Sequence, residues 1–443
     1  MFDRLLGLLY TTAYPRLKPG SFFHTLIRKM ITHLYEYVFE HTERMAIDSL
    51  NILQKERLMD MIAYAKQSVP FYATYMDHVK TLHDFFTLMP ISKESMRSAF
   101  AKQSIVNQKF SDFKIPQYTS GSTGVPFHFF LDTHMLPPRV AVYRRMLRWA
   151  GKIPSDSVIR LIWREHPGLE TEGTIFLCTG PDDLEQKKEA LYAQLANKTV
   201  ILQSLSSILI RLAHMLEQDN KQFSFRALIN YGEPIYPEIR LYLERAFGAK
   251  IFNYYANQEV TAIAQECGYH EGLHVNNEWV LLEIVDDKGN SVLPGQVGSG
   301  DIIVTSLENH VMPFIKYRTG DRGYWLEKPC LCGRTLPRIV VEGREINSFS
   351  LPDGKTGYFF ELAQPIASLV SRIHKYQVIR RSLKEFYVLL VPTASFLPED
   401  KTYLQNIFSA YLGKSVNVTI EICDNIKEIP GQKHRAFVNE TQV

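Results

Sequence analysis

The chain has 443 residues and a formal net charge of +3, with 45% hydrophobic and 22% charged residues. This composition is typical of a folded globular protein of two or three domains, and it excludes a disordered chain or a small module. The weak net charge gives no electrostatic case for a nucleic acid or an acidic membrane as the partner. We therefore expect a small-molecule ligand and no nucleic acid.

No apolar run approaches the ~20 residues that a membrane-spanning helix needs. The first ten residues are apolar but contain Asp3 and Arg4 and lack a signal-peptide cleavage site. The five cysteines fit a reducing compartment with one metal site better than a disulfide framework. We expect a cytoplasmic protein without a transmembrane segment.

The first part of the chain reads as helical. Between residues 22 and 66 apolar side chains recur at helical spacing without Gly or Pro, which predicts two or more helices. Ser92 then has the character of an N-cap that opens another short helix.

A run of Gly, Ser and Thr from Thr119 to Gly124 is the most distinctive local feature. Small residues let successive backbone N–H groups approach an anion, and the hydroxyls add further donors. A nucleotide-hydrolase loop would end in Gly-Lys-Ser/Thr and open a helix, whereas Val125-Pro126 here leads into the aromatic run from Phe127 to Leu131. We predict a phosphate-binding loop between two strands, with an ordinary turn as the alternative.

Helices and strands alternate from about residue 136 to 250. We predict helices near 137–149, 182–196 and 205–218, and strands near 158–163, 199–202, 227–230 and 249–252, which together indicate a mostly parallel α/β sheet. Ligands on such sheets bind at the carboxyl ends of the strands. The motifs at 231–234 and 253–259 are predicted to follow two of these strands directly.

The remainder divides into two parts. Residues 278–326 indicate β structure with a hairpin turn at 285–290. The last ~90 residues indicate a separate unit with strands near 375–380, 385–391 and 416–422 and a helix near 399–412. We predict a large domain over residues 1–343 and a small domain over residues 344–443.

The order of five motifs resembles the adenylate-forming superfamily of acyl-CoA synthetases and ligases. The motifs are the Thr119–Gly124 loop, Tyr255-x-x-x-Glu259, Tyr317-Arg-Thr-Gly-Asp321, Gly343-Arg344 and a lysine near the C-terminus, Lys433. The chain is most similar to phenylacetate-CoA ligase and its relatives in capsular polysaccharide clusters. The resemblance implies a large α/β domain with a β subdomain and a small, mobile α+β lid domain.

The resemblance also implies a reaction. ATP, with Mg²⁺, would adenylate a carboxylic acid of aromatic or medium size, and coenzyme A would then take the acyl group. Transfer to an amine or a carrier protein remains open, as does a degenerate protein that only binds a nucleotide.

Each motif then has an implied role. The phosphates would bind Thr119, Ser120, Gly121, Ser122, Thr123 and Gly124, and the adenine pocket would include Gly232, Glu233, Pro234, Tyr254 and Tyr255. Glu259 would hold Mg²⁺, Asp321 would bind the ribose, Arg344 would lie near the ribose or phosphates, and Lys433 would bridge the carboxylate and the α-phosphate. Adenylation of this kind depends mainly on positioning and charge stabilisation.

Three positions depart from the family pattern. Val125 stands where many members carry a lysine, Ile346-Asn347 replaces an acidic hinge, and Gln432 is an additional residue before Lys433. These departures predict that side chains make fewer contacts with the phosphates, and they motivate the alternative of a degenerate protein that only binds a nucleotide.

Four residues predict a separate metal site. Cys267, His274, Cys330 and Cys332 would supply three thiolates and one imidazole, a set suited to tetrahedral Zn²⁺, and the same set recurs in some members of the resembled subgroup. His270 is a competing nitrogen ligand, and free buried cysteines are the alternative interpretation. The zinc would be structural.

Overall fold

The computed structural model describes residues 22–109, 114–119, 127–163, 172–178, 181–344, 348–427 and 434–442. These residues form two compact units. The first contains residues up to Lys152, Glu172 and Tyr254–Glu342, and the second contains residues 153–163, Gly173–Asn253 and Gly343 onward.

The first unit begins with helices. They are α1 (Phe22–Thr42), α2 (Ile47–Ser68), α3 (Pro70–Tyr75), α4 (Leu82–Phe86), α5 (Lys93–Ala101) and α6 (Leu136–Trp149). The predicted cap is confirmed, because the Ser92 side chain accepts a bond from the backbone N–H of Ser95 at the start of α5. Strands β1 (Lys114–Thr119) and β2 (Phe127–Asp132) pair antiparallel, so the Gly/Ser/Thr segment does connect two strands.

The rest of the first unit is a mostly antiparallel sheet. Its strands are β8 (Thr261–Glu266), β9 (Leu273–Val275), β10 (Val280–Val285), β11 (Ser291–Val292), β12 (Ser299–Ser306), β13 (Tyr317–Leu326) and β14 (Arg338–Arg344), in the order β11-β10-β12-β13-β14-β9-β8. The hairpin predicted at 285–290 is confirmed by the antiparallel pairing of β10 and β11. Helix α6 packs against β8, and a buried core that includes Trp279 and Phe314 fills the unit.

The second unit contains the parallel sheet. Strands β3 (Ser157–Ile162), β4 (Thr174–Leu177), β5 (Thr199–Ser204) and β6 (Ser224–Tyr231) lie in the order β6-β5-β3-β4. They alternate with helices α7 (Pro181–Gln186), α8 (Lys188–Leu195), α9 (Ser206–Gln218) and α10 (Pro237–Phe247). Buried Val, Ile and Leu dominate β5, as expected for a parallel strand covered on both faces.

The C-terminal part of the second unit is a smaller α/β domain with a core of its own. It contains β15 (Ser348–Ser350), β16 (Thr356–Tyr358), α11 (Phe359–Ala367), β17 (Ile373–Ser382), β18 (Glu385–Pro392), α12 (Pro398–Leu412), β19 (Asn417–Ile422) and β20 (Phe437–Asn439). Four of these strands form a sheet in the order β19-β18-β17-β20. The predicted α/β fold class is thus confirmed.

One prediction about the strands is wrong. Strand β7 covers Ile251–Asn257, so Tyr254 and Tyr255 lie within the strand instead of following it. Aromatic side chains fit the pleated surface of a strand well, and this preference carries β7 past the predicted end. Among the described helices, none combines the length and the apolar character needed to cross a membrane.

Candidate active site

Glu259 lies in the tight turn between β7 and β8. Asn257 pairs with Thr261 across this turn, and the Asn257 side chain accepts a bond from the Val260 N–H at 2.8 Å. Thr261 has a φ of 63°, in a region that β-branched residues rarely adopt and that marks local strain. The turn therefore presents Glu259 in one defined position.

Two side chains distant in sequence converge on Glu259, whose exposed fraction is only 4%. Lys93 Nζ lies 3.1 Å and the Tyr317 hydroxyl 2.8 Å from the same oxygen, Oε1. A backbone bridge between Ile91 and Tyr317 holds the start of α5 beside the start of β13. The carboxylate is thus fixed by a cation and a hydroxyl, each of which donates a charge-assisted hydrogen bond.

Tyr255 and Asp321 form a second contact on the same unit. The Tyr255 hydroxyl donates to Asp321 Oδ2 at 2.7 Å. Gly320 has a φ of 78°, and the β12–β13 register shifts at this point, as expected for a bulge that redirects a side chain. The Asp321 N–H also donates to Thr319 Oγ1 at 3.1 Å, so this carboxylate has a defined orientation.

The motif Gly232-Glu233-Pro234 follows β6 in the second unit. The Glu233 carboxylate accepts bonds from the Ser207 N–H at 2.8 Å and the Ser207 hydroxyl at 3.0 Å, at the start of α9. A carboxylate in this position satisfies orphan N–H groups and complements the helix dipole. Asn230 Nδ2 donates to the Glu233 carbonyl at 2.8 Å, so the loop is held from both sides.

Four potential metal ligands cluster in the first unit. One ligand atom from each of Cys267, His274, Cys330 and Cys332 lies within 4.8 Å of the others. The Sγ atoms of Cys267 and Cys330 are 3.6 Å apart, and Cys332 Sγ lies 3.4 Å from His274 Nε2. A tetrahedral Zn²⁺ with Zn–S of about 2.3 Å and Zn–N of about 2.0–2.1 Å places neighbouring ligands about 3.8 Å and 3.6 Å apart. The four atoms fit such an ion, and His270 lies instead against Glu266 at 3.0 Å.

The surroundings of the cluster shift the pKa values of its potential ligands in different directions. His274 Nδ1 hydrogen-bonds to the Leu336 carbonyl at 3.0 Å, which directs Nε2 towards the cysteines. Burial lowers the pKa of His274 to about 4, so its imidazole is neutral and able to bind a metal. Burial raises the pKa of the Cys267 thiol to about 12. The pKa of Cys332 is lowered, because hydrogen bonds led by the Arg334 N–H outweigh the effect of burial.

A buried carboxylate links the cluster to the N-terminal helices. Glu43, which is 2% exposed, accepts bonds from Trp149 Nε1 at 2.6 Å and Arg334 Nε at 3.0 Å. The Arg334 guanidinium lies over the Trp149 ring, and that ring also contacts His274 edge-on. This network ties the loop of Cys330 and Cys332 to α1 and α6.

Comparisons with known proteins identify relatives over most of the chain. No protein-family model matches it. The phenylacetate-coenzyme A ligase of Thermus thermophilus is 24% identical over 369 residues, which cover 76% of this chain and 80% of that protein. The enzyme of the same name from Escherichia coli is 23% identical and covers 89% of this chain and 96% of that protein.

Solved structures agree on the fold. A crystal structure of 2-hydroxyisobutyryl-CoA ligase in the postadenylation state superposes with a TM-score of 0.76 at 19% identity, over 91% of this chain and 92% of that one. The chain is therefore similar in sequence to phenylacetate-coenzyme A ligases, and it shares the fold of 2-hydroxyisobutyryl-CoA ligase. The capsular subgroup stays a prediction.

Two of the predicted site residues lie at strand ends. Thr119 ends β1 with a buried hydroxyl that has no hydrogen-bond partner among the described residues, and the exposed Arg344 ends β14. The predicted phosphate-loop residues Ser120, Gly121, Ser122, Thr123 and Gly124, and Lys433 as well, lie outside the described residues.

Local sequence patterns did not identify Lys93 and Tyr317 as partners of Glu259. Tyr317 begins the motif Tyr317-Arg-Thr-Gly-Asp321, and Lys93 follows the N-cap Ser92 at the start of α5. Neither pattern indicates the contact, because Lys93 and Glu259 are 166 positions apart in the chain.

Proposed function

We propose that this protein is an ATP- and Mg²⁺-dependent ligase that adenylates a carboxylic acid, of aromatic class, and transfers the acyl group to coenzyme A. The observation that carries the proposal is the buried carboxylate of Glu259, held by Lys93 and Tyr317 on the same unit as the Tyr255–Asp321 pair. The sequence similarity to phenylacetate-coenzyme A ligases supports the same activity.

The reaction assigns a role to each part. The acid's carboxylate oxygen attacks the α-phosphorus of ATP, the bond to pyrophosphate breaks, and an acyl-adenylate forms. The coenzyme A thiolate then attacks the acyl carbon, and AMP leaves. The ribose hydroxyls donate to Asp321, and Tyr255 forms part of the adenine pocket.

Glu259 is the residue that would hold Mg²⁺, which prefers oxygen ligands and usually binds together with phosphates. Lys93 and Tyr317 both donate to Oε1 and fix the carboxylate that would hold the ion. The ion would neutralise part of the phosphate charge.

The remaining roles follow from the superfamily. The Thr119–Gly124 loop binds the phosphates of ATP, and Arg344 lies near the ribose or phosphates. Residues 344–443 act as a lid domain that brings Lys433 to the α-phosphate, where its positive charge stabilises the transition state.

Acid-dependent exchange of labelled pyrophosphate into ATP tests the proposal. We expect Lys433→Ala to lower the exchange rate on the order of 10²–10³-fold, as for the loss of one preorganised donor. The exposed Lys401 on α12 provides a matched control, and Lys401→Ala should exchange at the wild-type rate. An unchanged rate in Lys433→Ala would exclude the assignment.

The Cys267, His274, Cys330 and Cys332 cluster is proposed to hold a structural Zn²⁺. All four protein ligands are provided, so a tetrahedral ion has no open position for substrate. We expect about one equivalent of zinc in protein purified without added metal. Less than about half an equivalent would contradict the proposal.

A further inference from the structure

Strand β13 carries Asp321 in a β-bulge. Ile302 of β12 lies opposite residues 319–321 of β13. The neighbours of Ile302 pair with Arg322 and Arg318, which enclose those three residues. A bulge bends its strand and redirects a side chain, and bulges are over-represented beside active sites. The geometry of this bulge therefore determines where the Asp321 carboxylate points.

The Thr319 hydroxyl holds this bulge from inside. It donates to the Ile302 carbonyl at 2.9 Å and accepts from the Asp321 N–H at 3.1 Å. A hydroxyl can do both at once, because it has one O–H donor and two acceptor lone pairs. Thr319 is 9% exposed, so water competes little for these two bonds. The hydroxyl therefore fixes the backbone of Asp321 relative to β12.

A single carboxylate joins the two ends of the bulge. Asp301 Oδ2 lies 3.0 Å from an Arg318 nitrogen, and Asp301 Oδ1 lies 3.4 Å from an Arg322 nitrogen. Bonds between a guanidinium and a carboxylate are charge-assisted and stronger than neutral hydrogen bonds. Because both arginines bind the same buried carboxylate, their contacts with Asp301 oppose any widening of the bulge.

Tyr255 holds the side chain of Asp321. Its hydroxyl donates to Asp321 Oδ2 at 2.7 Å, so one hydroxyl fixes the carboxylate while the Thr319 hydroxyl fixes the backbone N–H. All of these contacts lie within the first unit. A carboxylate held in this way is preorganised, and a preorganised group loses less conformational freedom when a ligand binds.

We infer that Thr319 and Asp301 are positioning residues for recognition of the ATP ribose, because they hold the bulge that directs the Asp321 carboxylate. This inference rests on the proposed function, in which the ribose hydroxyls donate to Asp321. Thr319 and Asp301 act through Asp321 and do not themselves bind the nucleotide. Their loss should weaken binding of ATP but not of an analogue that lacks the recognised hydroxyl.

The preference for ATP over 2′-deoxy-ATP and 3′-deoxy-ATP measures ribose recognition without requiring the acid. The Kd of each nucleotide is measured by titration calorimetry in the presence of Mg²⁺. We expect the wild type to bind ATP about 10- to 100-fold more tightly than at least one deoxy analogue, the effect of one hydrogen bond to a charged group. Asp321→Ala should remove this preference. If the wild type does not bind ATP, or if Asp321→Ala keeps the preference, the proposed function is contradicted at the ribose site.

Thr319→Val tests the positioning role, because valine has the same shape without the hydroxyl. We expect the Kd for ATP to rise so that the preference falls to about 3-fold or less, while the Kd for the deoxy analogue stays at the wild-type value. A merely structural role would weaken the binding of both nucleotides equally. An unchanged preference in Thr319→Val, together with its loss in Asp321→Ala, would overturn the inference alone.

Two further variants serve as controls. Thr319→Ser keeps the hydroxyl and should keep the preference of the wild type. Thr305 on β12 also has a buried hydroxyl, which accepts from the Lys316 N–H at 3.0 Å outside the bulge, so Thr305→Val should keep the preference as well.

A variant at the other end of the argument decides the case if Thr319→Val does not fold. Asp301→Asn removes the charge that both arginines bind, and it should lower the preference for ATP by about 3- to 10-fold. An unchanged preference in Asp301→Asn would then overturn the inference.

Discussion

Replacement of Arg145 by methionine should destabilise the first unit more than any loss of a surface ion pair. The Arg145 guanidinium on α6 is buried and contacts both carboxylate oxygens of Glu278, at 2.9 Å and 3.2 Å. It also donates to Asn276, and the Thr42 hydroxyl of α1 donates to Glu278. The pair therefore joins two helices to the segment between β9 and β10.

The size of the effect follows from burial. The side chains of Arg145 and Glu278 are 0% and 1% exposed, so Arg145→Met leaves a carboxylate without its cation and almost without water. Removal of one partner of such a pair costs about 3–5 kcal/mol, a large fraction of the roughly 5–15 kcal/mol that stabilises a typical domain. Replacement of both partners should cost less, since no unpaired charge remains.

Urea unfolding followed by fluorescence measures this prediction. We expect Arg145→Met to lose about 3–5 kcal/mol, and the double variant with Glu278→Gln to recover about half of the loss. Lys355 forms an exposed pair with Asp353 at 3.1 Å, so Lys355→Met should cost no more than about 1 kcal/mol. A loss below about 1 kcal/mol in Arg145→Met, or a double variant less stable than the single one, would refute the reasoning.

Three further perturbations have defined outcomes. Burial, with lesser contributions from His374 and Arg211, lowers the pKa of His214 to about 4, whereas the unfolded value is about 6.5. The neutral His214 of the folded protein therefore costs no stability above pH 6.5. Stability is lost as the pH falls from 6.5 towards 4, by up to about 3 kcal/mol. Urea unfolding of His214→Gln at several pH values should therefore show a flatter dependence. Incubation with a strong zinc chelator should lower the melting temperature of the wild type but not of Cys332→Ser, measured by calorimetry. Lys93→Met should lower kcat/KM for ATP about 10- to 100-fold in the exchange assay, because Glu259 loses a charge-assisted hydrogen bond.

Each of these outcomes has a matched control. The exposed His78 gives His78→Gln, which should retain the pH dependence of the wild type. Cys423 lies outside the metal cluster, so Cys423→Ser should respond to the chelator as the wild type does. Lys93→Arg keeps the positive charge and should recover part of the activity. A variant indistinguishable from the wild type in its own assay would contradict the corresponding prediction.

Local sequence patterns predicted many helices and strands because the residue preferences of those segments agree with the elements that they form. The strands on both sides of the Gly/Ser/Thr loop were identified from the aromatic run after Pro126, and the cap at Ser92 from its residue type. Helix α10 was missed although its signals were present, since Pro237 begins it and Gly248, with a φ of 62°, ends it. The strand around Tyr254 was predicted too short, because its aromatic residues belong to a motif that was interpreted as a loop.

The candidate active site was predictable only where its residues belong to a motif. Glu259 and Asp321 were predicted from their motifs alone, but the side chains that contact them come from distant parts of the chain. The contact between Lys93 and Glu259 depends on the backbone bridge at Ile91 and Tyr317, which no local pattern encodes. Tertiary structure is therefore what distinguishes a buried, fixed carboxylate from an ordinary surface one.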